Sequence, residues 1–272
     1  MCRVLAVSRS GYYAWRRALT SAHRRNNEEL LAVIRQVHEQ SRRTYGSPRM
    51  TMELQARGHR CGRHRVARLM RANRIAAKTR RCFRVTTRSD HGLAVAENRL
   101  SRPFASPEAN RVWVSDITYI RTQEGWLYLS IILDLFSRRI VGWGMGERIN
   151  QDLVLRALDQ ALSSRRPLAG MVFHSDRGVQ YAGSEVRDYL KEHGLVQSMS
   201  SKGNCYDNAV AESFFHTLKT EEVYFSRYQS RSEARKSLFD YIEVFYNRVR
   251  RHSALGYLSP LEYESRKMAD VA

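Results

Sequence analysis

The sequence predicts two parts of different class: an all-α, helix-turn-helix-like first third, and an α/β remainder with a mixed sheet flanked by helices. Helical periodicity with capping residues runs through residues 1–77, and β-branched and aromatic runs begin past Pro107. The charge divides at nearly the same place. Residues 1–103 hold 24 Lys+Arg against 6 Asp+Glu, whereas residues 104–272 hold 22 against 21. An excess of this kind confined to one segment points to a polyanion-binding module joined to a near-neutral domain. Of the basic residues 40 are Arg and 6 are Lys, a bias that suits bidentate contacts with phosphate and guanine rather than solubility alone.

The elements of the first part follow in order. Leu5–Arg17 reads as a short helix, a tight turn and a second helix, with Ser8 or Ser10 as cap and Tyr12, Trp15 and Leu19 on one face. Leu30, Leu31, Ile34 and Val37 recur at helical steps and predict a helix over 27–40. Ser47-Pro48 starts the next helix, with Ser47 as cap, and Gly58 stops it. A short turn leads to a helix over 63–73, with Val66, Leu69 and Met70 inward and Arg65, Arg68 and Arg71 outward. Two helices joined by a short Gly-containing turn, the second faced with arginine, give the helix-turn-helix order. Arg63, Arg65 and Arg68 are its candidate DNA contacts. Residues 78–107 read as a basic linker.

In the remainder, runs at 111–121, 126–134 and 139–146 predict three strands in succession. Helix 151–162, strand 171–174, helix 184–193, strand 195–199, helix 208–220 and helix 233–248 follow, with a polar loop at 200–206. An antiparallel start extended by parallel crossovers implies a ribonuclease-H-like layout, with this domain spanning 108–272.

Several classes are excluded. Hydrophobic residues make up 43%, too many for a wholly disordered chain, and no apolar run approaches the ~18 residues that span a bilayer. The four cysteines lie far apart without a C-x-x-C, so a reduced cytoplasmic setting with no membrane partner is expected. Cys61, His59 and His64 lack the second pair a zinc site needs.

Three carboxylates carry the chemistry. Asp116 interrupts an apolar strand, where an unpaired charge costs several kcal/mol unless a cation offsets it. Asp176 stands just past the end of a buried strand, where open α/β sheets place ligand sites. Glu212 lies on the 208–220 helix. Hard oxygen ligands with few histidines favour Mg²⁺ or Mn²⁺ and phosphoryl-transfer chemistry.

Thirty-five residues separate Asp176 from Glu212, the spacing of retroviral-integrase-like transposases. His174-Ser175-Asp176-Arg177-Gly178-Val179-Gln180-Tyr181 and the 203–215 segment GNCYDNAVAESFF resemble that group's acidic motifs. LDLFSR at 133–138, YNR at 246–248, RHSALGYLSP at 251–260, TYGSPRM at 44–50 and SRSGYYAW at 8–15 extend the likeness over nearly the whole chain. The sequence thus resembles the second-frame (orfB) transposases of the insertion-sequence-three family of bacterial mobile elements.

That resemblance implies a DNA transposase that cuts and joins element ends with two divalent metals, Asp116 bridging both and Asp176 and Glu212 each completing one shell. It also implies a homo-oligomer on DNA in the bacterial cytoplasm, associated with the nucleoid. Lys219, seven residues past Glu212, matches a family residue that contacts DNA near the cleaved end. His174 could touch the same region or be a packed, hydrogen-bonded histidine. Asp134 is expected to cap a turn, and the 239–246 aromatics to be core. The chain starts only a few residues before its SRSGYYAW segment and holds no heptad pattern, so a partner from an upstream frame is expected to supply dimerisation. The rivals are a helix-turn-helix regulator with a silent domain, disfavoured by the full acidic set, and a nuclease that cuts without joining.

Overall fold

The computed structural model describes residues 2–17, 22–78, 96–99, 106–200 and 208–270. The chain divides into two compact units, 1–78 and 79–272. The anticipated linker, 78–107, falls mostly outside the described residues, as do Leu19, Cys82 and Cys205.

In the first unit, helices α1 (Arg9–Arg17), α2 (Ala22–Gln40), α3 (Ser47–Ala56) and α4 (Arg63–Ala72) follow one another. α1 corrects the sequence expectation of two short helices, since residues 2–6 form turns. Ser8 accepts the Gly11 N–H at 2.9 Å and acts as the cap. Trp15 remains 75% exposed, so α1 buries no aromatic stripe of its own there. α2, α3 and α4 close a small core through Leu30, Ile34, Val37, Met50, Leu54, Val66 and Met70, together with Tyr45. α3 begins one residue earlier than its Ser-Pro signal implied: Gly46 is the extended N-cap, and the Pro falls in the first turn, where its missing N–H costs nothing. Cys61 is a buried free thiol, and burial raises its pKa.

The second unit is built on a five-stranded sheet of order β3-β2-β1-β4-β5. β1 (Val112–Thr122), β2 (Gly125–Asp134) and β3 (Ile140–Gly146) form an antiparallel meander. β4 (Val172–Ser175) and β5 (Val196–Met199) are added in parallel beside β1, as the order of elements implied. α5 (Gln151–Arg165), capped by the Asn150 side chain on Leu153 N–H, lies directly on β3. A Cβ on Gly142 would stand 2.2 Å from the Ala157 carbonyl oxygen, and one on Gly144 2.5 Å from that of Leu153. Only glycine lets the helix backbone approach the strand so closely. Trp113, Ile132, Val154, Leu158, Phe173 and Leu190 fill the core on this side.

Short α6 (Val179–Ala182) and α7 (Ser184–Glu192) connect β4 to β5, and α8 (Ala209–Glu221) packs against β1. The single helix expected over 233–248 is instead α9 (Arg231–Phe239), capped by Ser230, continuing into a π-helical turn over Asp240–Tyr246. The wider π turn keeps Tyr241, Ile242, Phe245 and Tyr246 buried while Phe239 stays 48% exposed. α10 (Pro260–Ala269), with a Ser259/Glu262 capping box, closes the chain and was not foreseen. No helix among the described residues is long and apolar enough to cross a membrane.

Candidate active site

Asp116 owes its position to the unequal lengths of β1 and β4. β4 pairs with β1 only from Val112 to Ser115, so Asp116 is the first β1 residue beyond the parallel ladder. Asp176 follows Ser175, the last residue of β4, which places it in the register row next to Asp116. Glu212 lies in the first turn of α8, with Phe214, Phe215 and Leu218 anchoring that helix in the core.

The electrostatics show the three carboxylates acting on one another. Burial lifts the Asp116 carboxyl well above its ordinary pKa, and the charges of Asp176 and Glu212 add to the lift. The Ile117 N–H, donating to Asp116 Oδ1 at 2.8 Å, and the Lys219 ammonium oppose it. Burial and the charge of Asp176 likewise raise Glu212, which remains exposed at the surface. Asp176 Oδ1 accepts the Gly178 N–H at 2.9 Å, fixing the turn that starts α6. Lys219, two turns along α8 from Glu212, is attracted to Asp116 while burial lowers its pKa.

Tyr181, the last residue of the 174–181 motif, carries no role that the sequence alone assigns. It is fully buried, and its hydroxyl pairs with Ser115 Oγ at 2.9 Å. Burial, then the charges of Asp116 and Asp176, hold it far above the usual phenol range, so it stays neutral. Its signal is weak in sequence, because a lone tyrosine in a loop has no periodicity to place it.

Of the two readings left open for His174 the structure shows the packed one, and the outward placement expected of Arg65 is corrected. His174 is completely buried on β4, its Nδ1 paired with Ser198 Oγ at 2.9 Å and its Nε2 with Ser200 Oγ at 3.3 Å. The ring ties β4 to β5 and has no surface to offer DNA. Arg65 donates to Asn27 Oδ1 at 2.8 Å and Asn26 Oδ1 at 2.7 Å, joining α4 to α2 rather than reaching outward. Arg63, Arg68 and Arg71 are exposed on the same helix. Asp134 is buried and accepts from the Asn110 and Phe136 N–H groups, which is the turn-capping role.

Hard carboxylate oxygens that raise one another's pKa suit a dication, and no cysteine or histidine competes in the set. Among the described residues, however, no three His, Cys, Asp or Glu side chains are drawn close enough to hold an ion. The donor chemistry fits, and the spacing is open.

Comparison with known proteins sharpens this picture. The integrase core domain matches residues 106–205 and again 212–268, and an HTH-like domain matches 25–83. The chain is 47% identical over 266 residues to an insertion element IS600 uncharacterized 31 kDa protein of Shigella sonnei, covering 98% of each. It is 43% identical over 271 residues to the transposase InsF for insertion sequence IS3A of Escherichia coli (strain K12), covering 99% of this chain and 94% of that one. The chain belongs to the IS3 transposase family. Its sheet and flanking helices are therefore an integrase catalytic core of ribonuclease-H-like class, and the transposase acts in DNA transposition. Among solved structures it is similar to a chain of a simian T-cell lymphotropic virus intasome, at 15% identity and TM-score 0.49, covering 84% of this chain and 73% of that one. It is also similar to the HTLV-2 integrase catalytic core domain, solved in complex with magnesium, at 13% identity and TM-score 0.44, covering 57% and 96%.

Proposed function

We propose that Asp116, Asp176 and Glu212 hold two divalent cations, magnesium or manganese, and that the transposase uses this site to cleave element ends and join them to target DNA. The observation that supports the reading is the adjacency of Asp116 and Asp176 just past the β1–β4 ladder, with Glu212 on α8 near enough that the charge of Asp176 adds to burial in raising its pKa. Bound cations would activate the attacking hydroxyl and stabilise the departing 3′-oxygen. The chain's own residues do the rest. The Ile117 N–H holds Asp116 in place, and the Gly178 N–H holds Asp176. Lys219 balances part of the charge of Asp116, and in this reading it meets a DNA phosphate near the cut.

In this reading the basic N-terminal unit grips DNA through Arg63, Arg68 and Arg71. Two ends must be held at once for joining, so the protein works as an oligomer on DNA, in the bacterial cytoplasm where the nucleoid lies. The test is cleavage and strand transfer of a labelled element end by Asp116→Asn, Asp176→Asn and Glu212→Gln. Each is expected to abolish both reactions with DNA affinity largely kept. Near-normal cleavage by any one of them removes that residue from the set, and cleavage that persists in excess chelator removes the metals. Calcium is expected to bind without turnover, because its loose coordination positions the nucleophile poorly.

A further inference from the structure

Beyond Ser115 the edge of β1 that faced β4 continues from Asp116 to Thr122 with no strand paired to it among the described residues. Two large aromatic rings stand exposed on the β1–β2 hairpin, Tyr119 on this stretch of β1 and Trp126 at the start of β2. Tyr119 is 37% and Trp126 45% exposed. Tyr119 pairs with Tyr128 and Arg121 with Trp126 across the β1–β2 hairpin, so Tyr119 and Trp126 are diagonal neighbours on one face. Their ring centroids lie 5.0 Å apart at 85°, edge to face, which leaves ring surface uncovered.

A cation links this pair to the carboxylates. Lys219 Nζ stands 5.0 Å from the Tyr119 ring centroid and is also attracted to Asp116. Tyr119 follows Asp116 by three residues, about 10 Å along an extended strand, and so leaves the opposite face of β1, with Lys219 the side chain that couples to both. The carboxylates repel DNA, so a strand entering the site needs a favourable contact close by, across the unpaired edge of β1. Bases inside a duplex have both faces covered by their neighbours. A terminal or splayed base has a free face, and aromatic side chains bind such faces with little regard to sequence.

We propose that Tyr119 and Trp126 form a stacking platform for an unpaired nucleobase at the DNA end, with Lys219 taking an adjoining phosphate. The proposal rests on the carboxylates being the cleavage site. It adds that the protein recognises an opened end beside them.

The test uses the full chain in chelator, where no cleavage occurs, and two labelled duplexes of identical paired sequence. One is blunt, and the other carries a short unpaired 3′ extension. Fluorescence anisotropy is expected to show the extended duplex bound about tenfold more tightly, the scale of one stacked base. Trp126→Ala removes that preference while leaving affinity for the blunt duplex unchanged, and Trp126→Phe keeps most of it. Lys219→Ala lowers the salt slope by about one, which the Trp126 variants do not. Equal binding of the two duplexes by the unaltered chain overturns the platform, and so does a preference that survives in Trp126→Ala. Cleavage by Asp116→Asn, measured separately with metal, decides the carboxylate reading on its own. Loss of that reading with the end preference intact is thereby told apart from loss of the platform alone.

Discussion

Ionised Asp116 is disfavoured by its surroundings, since burial and the charges of Asp176 and Glu212 all favour the protonated acid. A carboxyl whose pKa is raised on folding binds its proton more tightly in the folded chain. Its ionisation therefore lowers stability as pH rises from the ordinary carboxylate range through the folded pKa. Asp116→Asn removes that cost. In chelator at neutral pH the variant is expected to melt higher than the parent, by about 2–4 °C for each kcal/mol relieved, although it cannot cleave. Differential scanning calorimetry reads the shift, and a lower melting temperature would show that the carboxylate stabilises the fold. This residue was legible in the sequence because a charge within an apolar strand breaks a simple pattern. The burial of His174 was not, because a histidine on a strand face reads the same whether it meets solvent or the serines of a neighbouring strand.

Among the elements, α8 carries both Glu212 and Lys219, and its far end is held by a buried ion pair. Glu221 accepts from Arg250 Nε at 2.8 Å and Nη2 at 2.7 Å, and from the Tyr241 hydroxyl at 2.8 Å. Removing one partner of such a pair leaves an uncompensated buried charge. Glu221→Ala is therefore expected to cost roughly 3–5 kcal/mol in denaturant unfolding. Double replacement with apolar residues should recover part of that loss, and a single variant within 1 kcal/mol or so of the parent would contradict the argument. A second anchor seats α10. Burial alone would lift the Glu264 carboxyl, yet hydrogen bonds and charge from Arg165, with Ser137 and Arg139, hold it below its ordinary value. The stability it contributes is present above the ordinary carboxylate pKa and is lost as pH falls through the lowered one. Acid unfolding of Glu264→Gln should accordingly be shallower than that of the parent. Neither anchor was readable beforehand, since each joins residues at least 20 positions apart. The strands and most helices were, because their periodicity is local. The π turn escaped notice because one extra residue per turn shifts a periodic pattern without breaking it.

For the whole molecule, the uneven charge makes separable functions the natural expectation. Residues 1–103 hold nearly all of the net +19. That fragment alone should bind duplex DNA with log K falling by about 0.9 per phosphate contacted as log salt rises. Residues 104–272 should bind far more weakly and with a flatter slope, as nitrocellulose filter binding over a salt series would show. Equal affinities and slopes would place the DNA grip elsewhere. The division was legible because composition and period change together near Pro107. The approach of α5 to β3 was only half legible: Gly142, Gly144 and Gly146 and the helix from Gln151 are plain in the sequence, but the packing of that helix directly on the glycines is not.

That approach bears on how the protein can vary. At Gly142 and Gly144 even a methyl group would collide with helix backbone, and backbone cannot turn aside as a side chain can. Both glycines lie on β3, with β2 between them and the strand that carries Asp116. In a saturation library scored by transposition, these two positions should nevertheless be as depleted as Asp116, with alanine failing as surely as tryptophan. The intervening Trp143, whose indole N–H donates to Glu243 Oε1 at 2.8 Å, should accept several replacements at reduced fitness. A screen for essential residues would thus mark a strand remote from the chemistry, and only a measurement of folded protein in the same library would separate architecture from catalysis.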